Sequence, residues 1–286
     1  MRRKFKKICL VFVVCFLCLG FLCQDIVFAQ DDPSEKILGF TLNNFDDKNN
    51  KTWDLAGETL EMFGDDIHLT QVNANVYGEK DNMNLVADTG TFNRVDGKVH
   101  LQDNVVITSE SGAKMMTDTL DWLQKNQLVT TDDKVNIFRG NLEAEGLGAV
   151  GRTDLKQMSL KEEVKVDINP ENEDDTMRKT TIICDGPLDI DYQKGSAVFN
   201  NNVEAFDGES QLFADKMTGY FDNESKEIVK VIAEGNVKML RGKDKAYGKK
   251  AIYDAKTQQV SLVGRPKLVI YSQMDEKEGE EEGSKE

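Results

Sequence analysis

The stretch Gly146-Leu-Gly-Ala-Val-Gly151 has the glycine spacing with which a strand-turn-helix unit cradles the pyrophosphate of a dinucleotide. That chemistry needs a helix opening on the last glycine. The next residues are Arg152-Thr-Asp-Leu-Lys156 and then another alternating stretch, with no helical period. The glycines are therefore expected at turns or at points of close backbone approach in a β structure, and no cofactor is expected. His68 and His100 each sit in an alternating stretch with no second ligand at metal spacing. The acidic clusters Asp46-Asp47, Asp65-Asp66 and Glu171 to Asp175 lack the glycine and spacing of a calcium loop. They are expected as solvated turns, and no metal site is assigned. Cys184 ends the apolar run Thr181-Ile-Ile-Cys184 and reads as a small buried hydrophobe. No Ser-His-Asp or Cys-His set can be assembled, so no catalytic residue and no enzymatic activity are expected.

The remaining chemistry is apolar. Burying one methylene is worth about 0.8 kcal/mol, so an acyl chain of a dozen or so carbons loses on the order of 10 kcal/mol on entering water. A continuous greasy trough removes that barrier. Its candidate lining in the first half is Phe92, Leu101, Val105, Ile107, Leu120, Trp122, Val135 and Ile137. In the second half it is Ile190, Phe199, Val203, Phe213, Tyr220, Val237 and Met239.

The elements that would hold these side chains are strands. Val99-His-Leu101, Leu120-Asp-Trp122, Val164-Lys-Val166-Asp-Ile168 and Leu188-Asp-Ile190-Asp-Tyr192 alternate apolar with polar residues, the period of a strand with one dry face and one wet. Turn signals separate them, among them Asp96-Gly97, Asp185-Gly186-Pro187, Asp207-Gly208 and Glu234-Gly235-Asn236. Trp53 to Leu60 and Ala251 to Ala255 have a weak helical reading that strand pairing is expected to override. One form recurs along the chain: an apolar residue, two or three small polar or acidic ones, then Val. With Val105, Val135, Val164, Val203, Val237 and Leu268 as equivalents, the spacings are 30, 29, 39, 34 and 31 residues. Such a period marks a stacked array of small units that cannot bury their apolar faces alone. The unit is a strand pair, so the fold class is all-β and antiparallel: a sandwich, jelly roll or solenoid.

Composition narrows the setting. The chain has 286 residues, 39% of them hydrophobic, and a formal net charge of -15. Five basic residues fall within the first seven, and sixteen mostly apolar residues run from Ile8 to Cys23. Residues 1–29 thus read as an export signal with a small-residue site at Val27-Phe-Ala29, cleaved after Ala29 or kept as an inner-membrane anchor. Beyond them the chain carries 31 basic and 50 acidic side chains, a surface that repels phosphate backbones and argues against nucleic acid. Four of the five cysteines lie in the leader, which leaves Cys184 with no partner for a disulfide in the mature chain. Residues 169–178 are acidic and nearly free of apolar side chains, and read as a linker. Residues 273–286 read as an acidic solvated tail.

Several pieces carry a family resemblance. Ile37-Leu-Gly-Phe-Thr-Leu42, Trp53-Asp-Leu55, Ile67-His-Leu-Thr-Gln-Val72, Leu85-Val-Ala-Asp88 and Leu101-Gln-Asp-Asn-Val-Val-Ile107 resemble the LptC component of the lipopolysaccharide transport bridge. Ala197-Val-Phe-Asn-Asn-Asn-Val203, Leu212-Phe-Ala-Asp215, Ile232-Ala-Glu-Gly-Asn-Val237, Ala251-Ile-Tyr-Asp254 and Leu262-Val-Gly-Arg-Pro266 are similar to its relative LptA, also called OstA-like. The resemblance implies a twisted, V-shaped open β-jelly roll in the periplasm whose interior holds lipid A acyl chains. It implies as partners lipopolysaccharide or a related glycolipid, an inner-membrane ABC transporter complex, and other jelly-roll bridge proteins joined through edge strands. On this reading residues 30–168 are an LptC-like jelly roll and 179–272 an LptA-like one, in tandem or as one continuous array. Having both on one chain departs from the usual arrangement of the family. The rival expectation is an exported structural or adhesive β-solenoid with a filled core and no lipid.

Overall fold

The computed structural model describes residues 33–78, 81–152, 155–170, 178–222 and 227–271. The leader, the acidic tail and most of the acidic segment after Pro170 lie outside them. The described residues from Ser34 onward form one unit. Its strands succeed one another with short connections. β1 (Glu35–Phe45), β2 (Lys51–Phe63), β3 (Asp66–Val76), β4 (Met83–Asn93), β5 (Lys98–Ser109) and β6 (Lys114–Leu123) come first. A single 3-10 turn at Gln124–Asn126 leads to β7 (Leu128–Arg139), β8 (Leu142–Arg152) and β9 (Gln157–Ile168). Then come β10 (Thr180–Cys184), β11 (Leu188–Asp191), β12 (Ser196–Phe206), β13 (Ser210–Phe221) and β14 (Ile228–Arg241). β15 (Asp244–Asp254), β16 (Gln259–Val263) and β17 (Lys267–Val269) complete the chain. Trp53 to Leu60 and Ala251 to Asp254 are strand, as cross-strand pairing demands.

All seventeen belong to one antiparallel sheet in which neighbours in sequence are neighbours in space. β10 and β11 lie end to end as one interrupted strand between β9 and β12, broken at Asp185-Gly186-Pro187. β16 and β17 likewise lie end to end on β15, broken at Gly264-Arg265-Pro266. The sheet therefore continues without a gap from β9 into β10 and β11, across the acidic segment that the sequence marks as a linker.

The recurring polar motif is a mid-strand bulge rather than a turn. Asp103 and Asn104, Asn201 and Asn202, and Gly235 and Asn236 all have positive φ. In each case the strand places two residues opposite one on its partner. Asn, Asp and Gly tolerate this left-handed backbone, which explains the composition of the repeat. Glu234-Gly235-Asn236, which reads as a turn in sequence, is such a bulge inside β14. Leu268 is not the counterpart of Val237: it pairs with Ala246, which pairs with Met239, so it stands one inward position further out.

The extra residue decides which side chains point inward. Bulged strands bury residues four apart, as at Leu101 and Val105, Leu160 and Val164, Phe199 and Val203, and Ala233 and Val237. Their unbulged neighbours bury residues three apart, as at Thr117 and Leu120 or Ala214 and Met217. The bulges align across the sheet as a crease. Leu160 and Val135 are 0% exposed, yet the described residues contain no second sheet and no long helix to cover them. The two halves of the sheet must cover each other across the crease. The largest buried cluster runs from Val135 on β7 to Met217 on β13 and so spans the junction of the two sequence halves.

On the outer face the same junction is fastened by Asp167. Its carboxylate accepts a hydrogen bond from Thr181 Oγ1 at 2.6 Å and lies 2.9 Å from Lys165 Nζ and 3.1 Å from Lys179 Nζ. The Thr181 hydrogen bond first, and the Lys165 ammonium next, hold its pKa at about 2. A depressed carboxylate pKa contributes stability above the unfolded value of about 4, lost as pH falls toward the folded value.

Equilibrium unfolding in urea checks both contributions. Leu160→Ala empties the middle of the largest cluster and should lower stability by about 2–5 kcal/mol. Asp167→Asn should cost about 1–3 kcal/mol at neutral pH, and its gap from the natural protein should close between about pH 4 and about pH 2.

Candidate lipid-binding trough

Residues paired directly across an antiparallel sheet share a face, so the register shows how the inner face continues from strand to strand. On one side of the crease Ile67 pairs with Phe92, Phe92 with Val99, Val99 with Trp122 and Trp122 with Val129. The same row goes on through Gly151, Met158, Ile190, Ala197, Gly219 and Val231. On the other side Leu55 pairs with Ala74, Ala74 with Leu85, Leu85 with Ile107, Ile107 with Met115 and Met115 with Ile137. That row goes on through Ala144, Val166, Ile182, Ala205, Leu212, Met239 and Ala246. Neither row contains a polar side chain, and both cross from β9 to β12 uninterrupted.

Between these two outer rows lie the crease residues. Leu101, Val105, Leu120, Val135, Phe199, Val203 and Val237 are all buried there in apolar clusters. Cys184 is among them, and burial raises its thiol pKa, which keeps it un-ionised. Phe92, Ile107, Trp122, Ile137, Ile190 and Met239 stand in the outer rows and remain half-buried. The inner face is thus shut at the crease and progressively barer toward the strand ends. A ligand lying along it would meet the second set and not the first.

Two of the sequence candidates fall on the opposite face. Phe213 pairs with Glu204 and Lys238, and its ring lies 5.0 Å from Lys238 Nζ. Tyr220 pairs with Ser196 and Lys230 and is exposed. Alternation counted along β13 from Ala214 or Met217 alone would have excluded both. Several inner residues were missed, among them Met115, Met158, Ile182 and Leu212. Their signal lay in the cross-strand register, which a single segment does not display.

The glycine run resolves in the same terms. All of Gly146 to Gly151 lies in β8 and the next element is β9, so no helix N-terminus is there to meet a pyrophosphate. A Cβ on Gly146 would stand 3.2 Å from Leu160 Cβ, so this glycine permits close packing at the crease. Gly151, in the outer row, is open: a Cβ there meets nothing nearer than Val129 Cβ at 3.8 Å. Gly219 is open too, with only the Ala197 carbonyl at 3.9 Å. His100 lies on the outer face, its Nδ1 2.8 Å from Asp121 Oδ1, and His68 is exposed with its ring against Phe63.

Residues 8–169 match the family model described as lipopolysaccharide-assembly, LptC-related, which is more than half of the chain. The chain belongs to this LptC-related family. Residues 187–284 match a second model, described as the LptA/(LptD N-terminal domain) lipopolysaccharide transport protein. The first match ends just past β9 and the second begins at Pro187, so an LptC-like part pairs strand to strand with an LptA-like part inside one chain. Among solved structures the chain is similar to LptH of Pseudomonas aeruginosa, described as the LptA-homologous periplasmic component of the lipopolysaccharide transport device. Identity there is 11% with a TM-score of 0.28, covering 57% of this chain and 97% of that one. No protein of curated function matches the sequence.

The outer rows hold one orphaned polar atom among the described residues. The indole Nε1 of Trp122 is buried and has no hydrogen-bond partner among the described residues. Because that donor is already orphaned, Trp122→Phe should change stability by less than about 1 kcal/mol, whereas Trp122→Ala should lose about 2 kcal/mol or more in urea unfolding.

Proposed function

We propose that this protein is a periplasmic bridge that carries lipopolysaccharide with its acyl chains against the two outer apolar rows. On this reading the lipid comes from an inner-membrane ABC transporter complex and leaves toward the outer membrane. The observation that supports it most is the continuity of both rows through the β9 to β11 junction. A chain with a filled core and no ligand needs buried residues at the crease, but gains nothing from keeping both flanking rows apolar over so many strands. An alkyl chain does gain, since each methylene kept from water is worth about 0.8 kcal/mol.

The two ends of the sheet suit passage between proteins. Among the described residues β1 is paired only by β2, and β16 and β17 only by β15. Ile37, Leu38 and Leu42 are exposed at the first edge, and Val260, Leu268 and Ile270 at the last. An edge with unpaired backbone groups and bare apolar side chains is ready to add a strand from another jelly-roll protein and so extend the rows. The LptC-like to LptA-like joint, by contrast, lies within this chain and needs no separate partner.

Photo-crosslinkers at Ile107, Ile137 and Met239 should label lipopolysaccharide, while those at Phe213 and Tyr220 on the outer face should not. Gly219→Trp, whose new side chain enters open space, should leave unfolding within about 1 kcal/mol of the natural protein while reducing both labelling and surface lipopolysaccharide. Labelling equally strong from both faces, or a folded Gly219→Trp protein with undiminished labelling, would overturn the reading and return the chain to a filled scaffold.

A further inference from the structure

The strands β14 to β17 depart from the charge of the rest of the chain. From Ile228 to Val269 they carry ten basic and three acidic residues, in a protein whose formal net charge is -15. Part of this charge is gathered on the outer face beside exposed rings. Phe213, Lys238, Tyr247 and Lys267 form one cross-strand row, and Leu240, Lys245 and Val269 lie in the row next to it. Tyr247 is exposed, and Phe206 at the margin is 43% exposed. Lys238 Nζ sits over the Phe213 ring. No ion pair reaches Lys238, Lys245 or Lys267 among the described residues. The acids around the face are few: Glu204 continues the row beyond Phe213, Asp215 accepts from the Asn236 side chain, Glu209 is engaged by Arg178 and Arg241, and Asp244 by the Tyr271 backbone N–H.

We infer that this outer face docks on a bilayer leaflet containing anionic phospholipid. The face is a stretch of sheet without a concave donor set for a single phosphate, and a planar anionic surface meets all three lysines at once. Lysine stems and aromatic rings between the ammonium groups are the side-chain chemistry of the membrane interface: apolar bodies enter the headgroup layer while the charges stay at the phosphates. The acidic remainder of the chain does not cancel the attraction, because charges beyond about 8 Å are screened at physiological ionic strength. The inference concerns the outer face alone and does not depend on what the inner rows carry.

The full-length protein is mixed with vesicles of phosphatidylcholine, with and without about 30% phosphatidylglycerol, and binding is read by co-sedimentation. Lys238→Glu/Lys245→Glu/Lys267→Glu should weaken binding to the anionic vesicles at least about tenfold, while Lys48→Glu/Lys114→Glu/Lys156→Glu, with the same change in net charge, should not. Hydrogen exchange gives a second readout on the unmutated protein: amides of Lys238 to Tyr247 should be protected by anionic vesicles and not by neutral ones. Equal weakening by both triple variants would overturn the inference, as would unchanged exchange at these amides. Protection that appears without lipid and grows with protein concentration would also overturn it, assigning the face to a second copy of the chain.

Discussion

A sheet that must cover its own apolar face can do so only if each strand keeps the same side inward on both sides of the fold. Strict alternation does not allow this where neighbouring strands bend together, because a one-residue change in spacing moves every later side chain to the other face. The bulges at Asp103-Asn104, Asn201-Asn202 and Gly235-Asn236 meet the constraint by adding one residue to every other strand. The buried pairs are then four apart in bulged strands and three apart between them, and the inner face stays buried through the bend, apolar but for the hydrogen-bonded Thr117 and Thr131. The crease, the core and the two outer rows all depend on that one inserted residue.

The same device explains why the junction between the LptC-like and LptA-like parts is not a hinge. β9 pairs with β10 and β11 over their full length, Leu160 and Val164 pack in one cluster with Cys184 and Leu188, and Asp167 ties Thr181 and Lys179 to the neighbouring strand from outside. Apolar packing on one face and a charge-assisted network on the other hold the two parts in a single register. The boundary between the two family matches thus lies inside one continuous sheet and one buried cluster.

Much of this was legible in the sequence, and the misses have a common cause. Alternation and the thirty-odd-residue repeat sufficed for an all-β antiparallel array built of strand pairs, and the resemblance to LptC and LptA agrees with the family models. The repeat motif was visible, but its role as a bulge was not, because a short polar run between apolar residues reads equally as a turn until the partner strand is known. Phe213 and Tyr220 were misplaced because size and hydrophobicity outweighed parity along β13. Leu101, Val135 and their like were assigned to the lining, although the crease closes over them. Distance from the crease is a property of register between strands, and no single segment reports it.

The strand pair also sets how such a protein can change length. Each pair brings its own bulge, two buried residues on each of its strands and its own share of both outer rows, and it pairs only with the strands beside it. Inserting or deleting one unit of about thirty residues would lengthen or shorten the array by roughly 10 Å and leave the edge strands unaltered. Reach thus becomes a matter of gene duplication, with both terminal strands preserved.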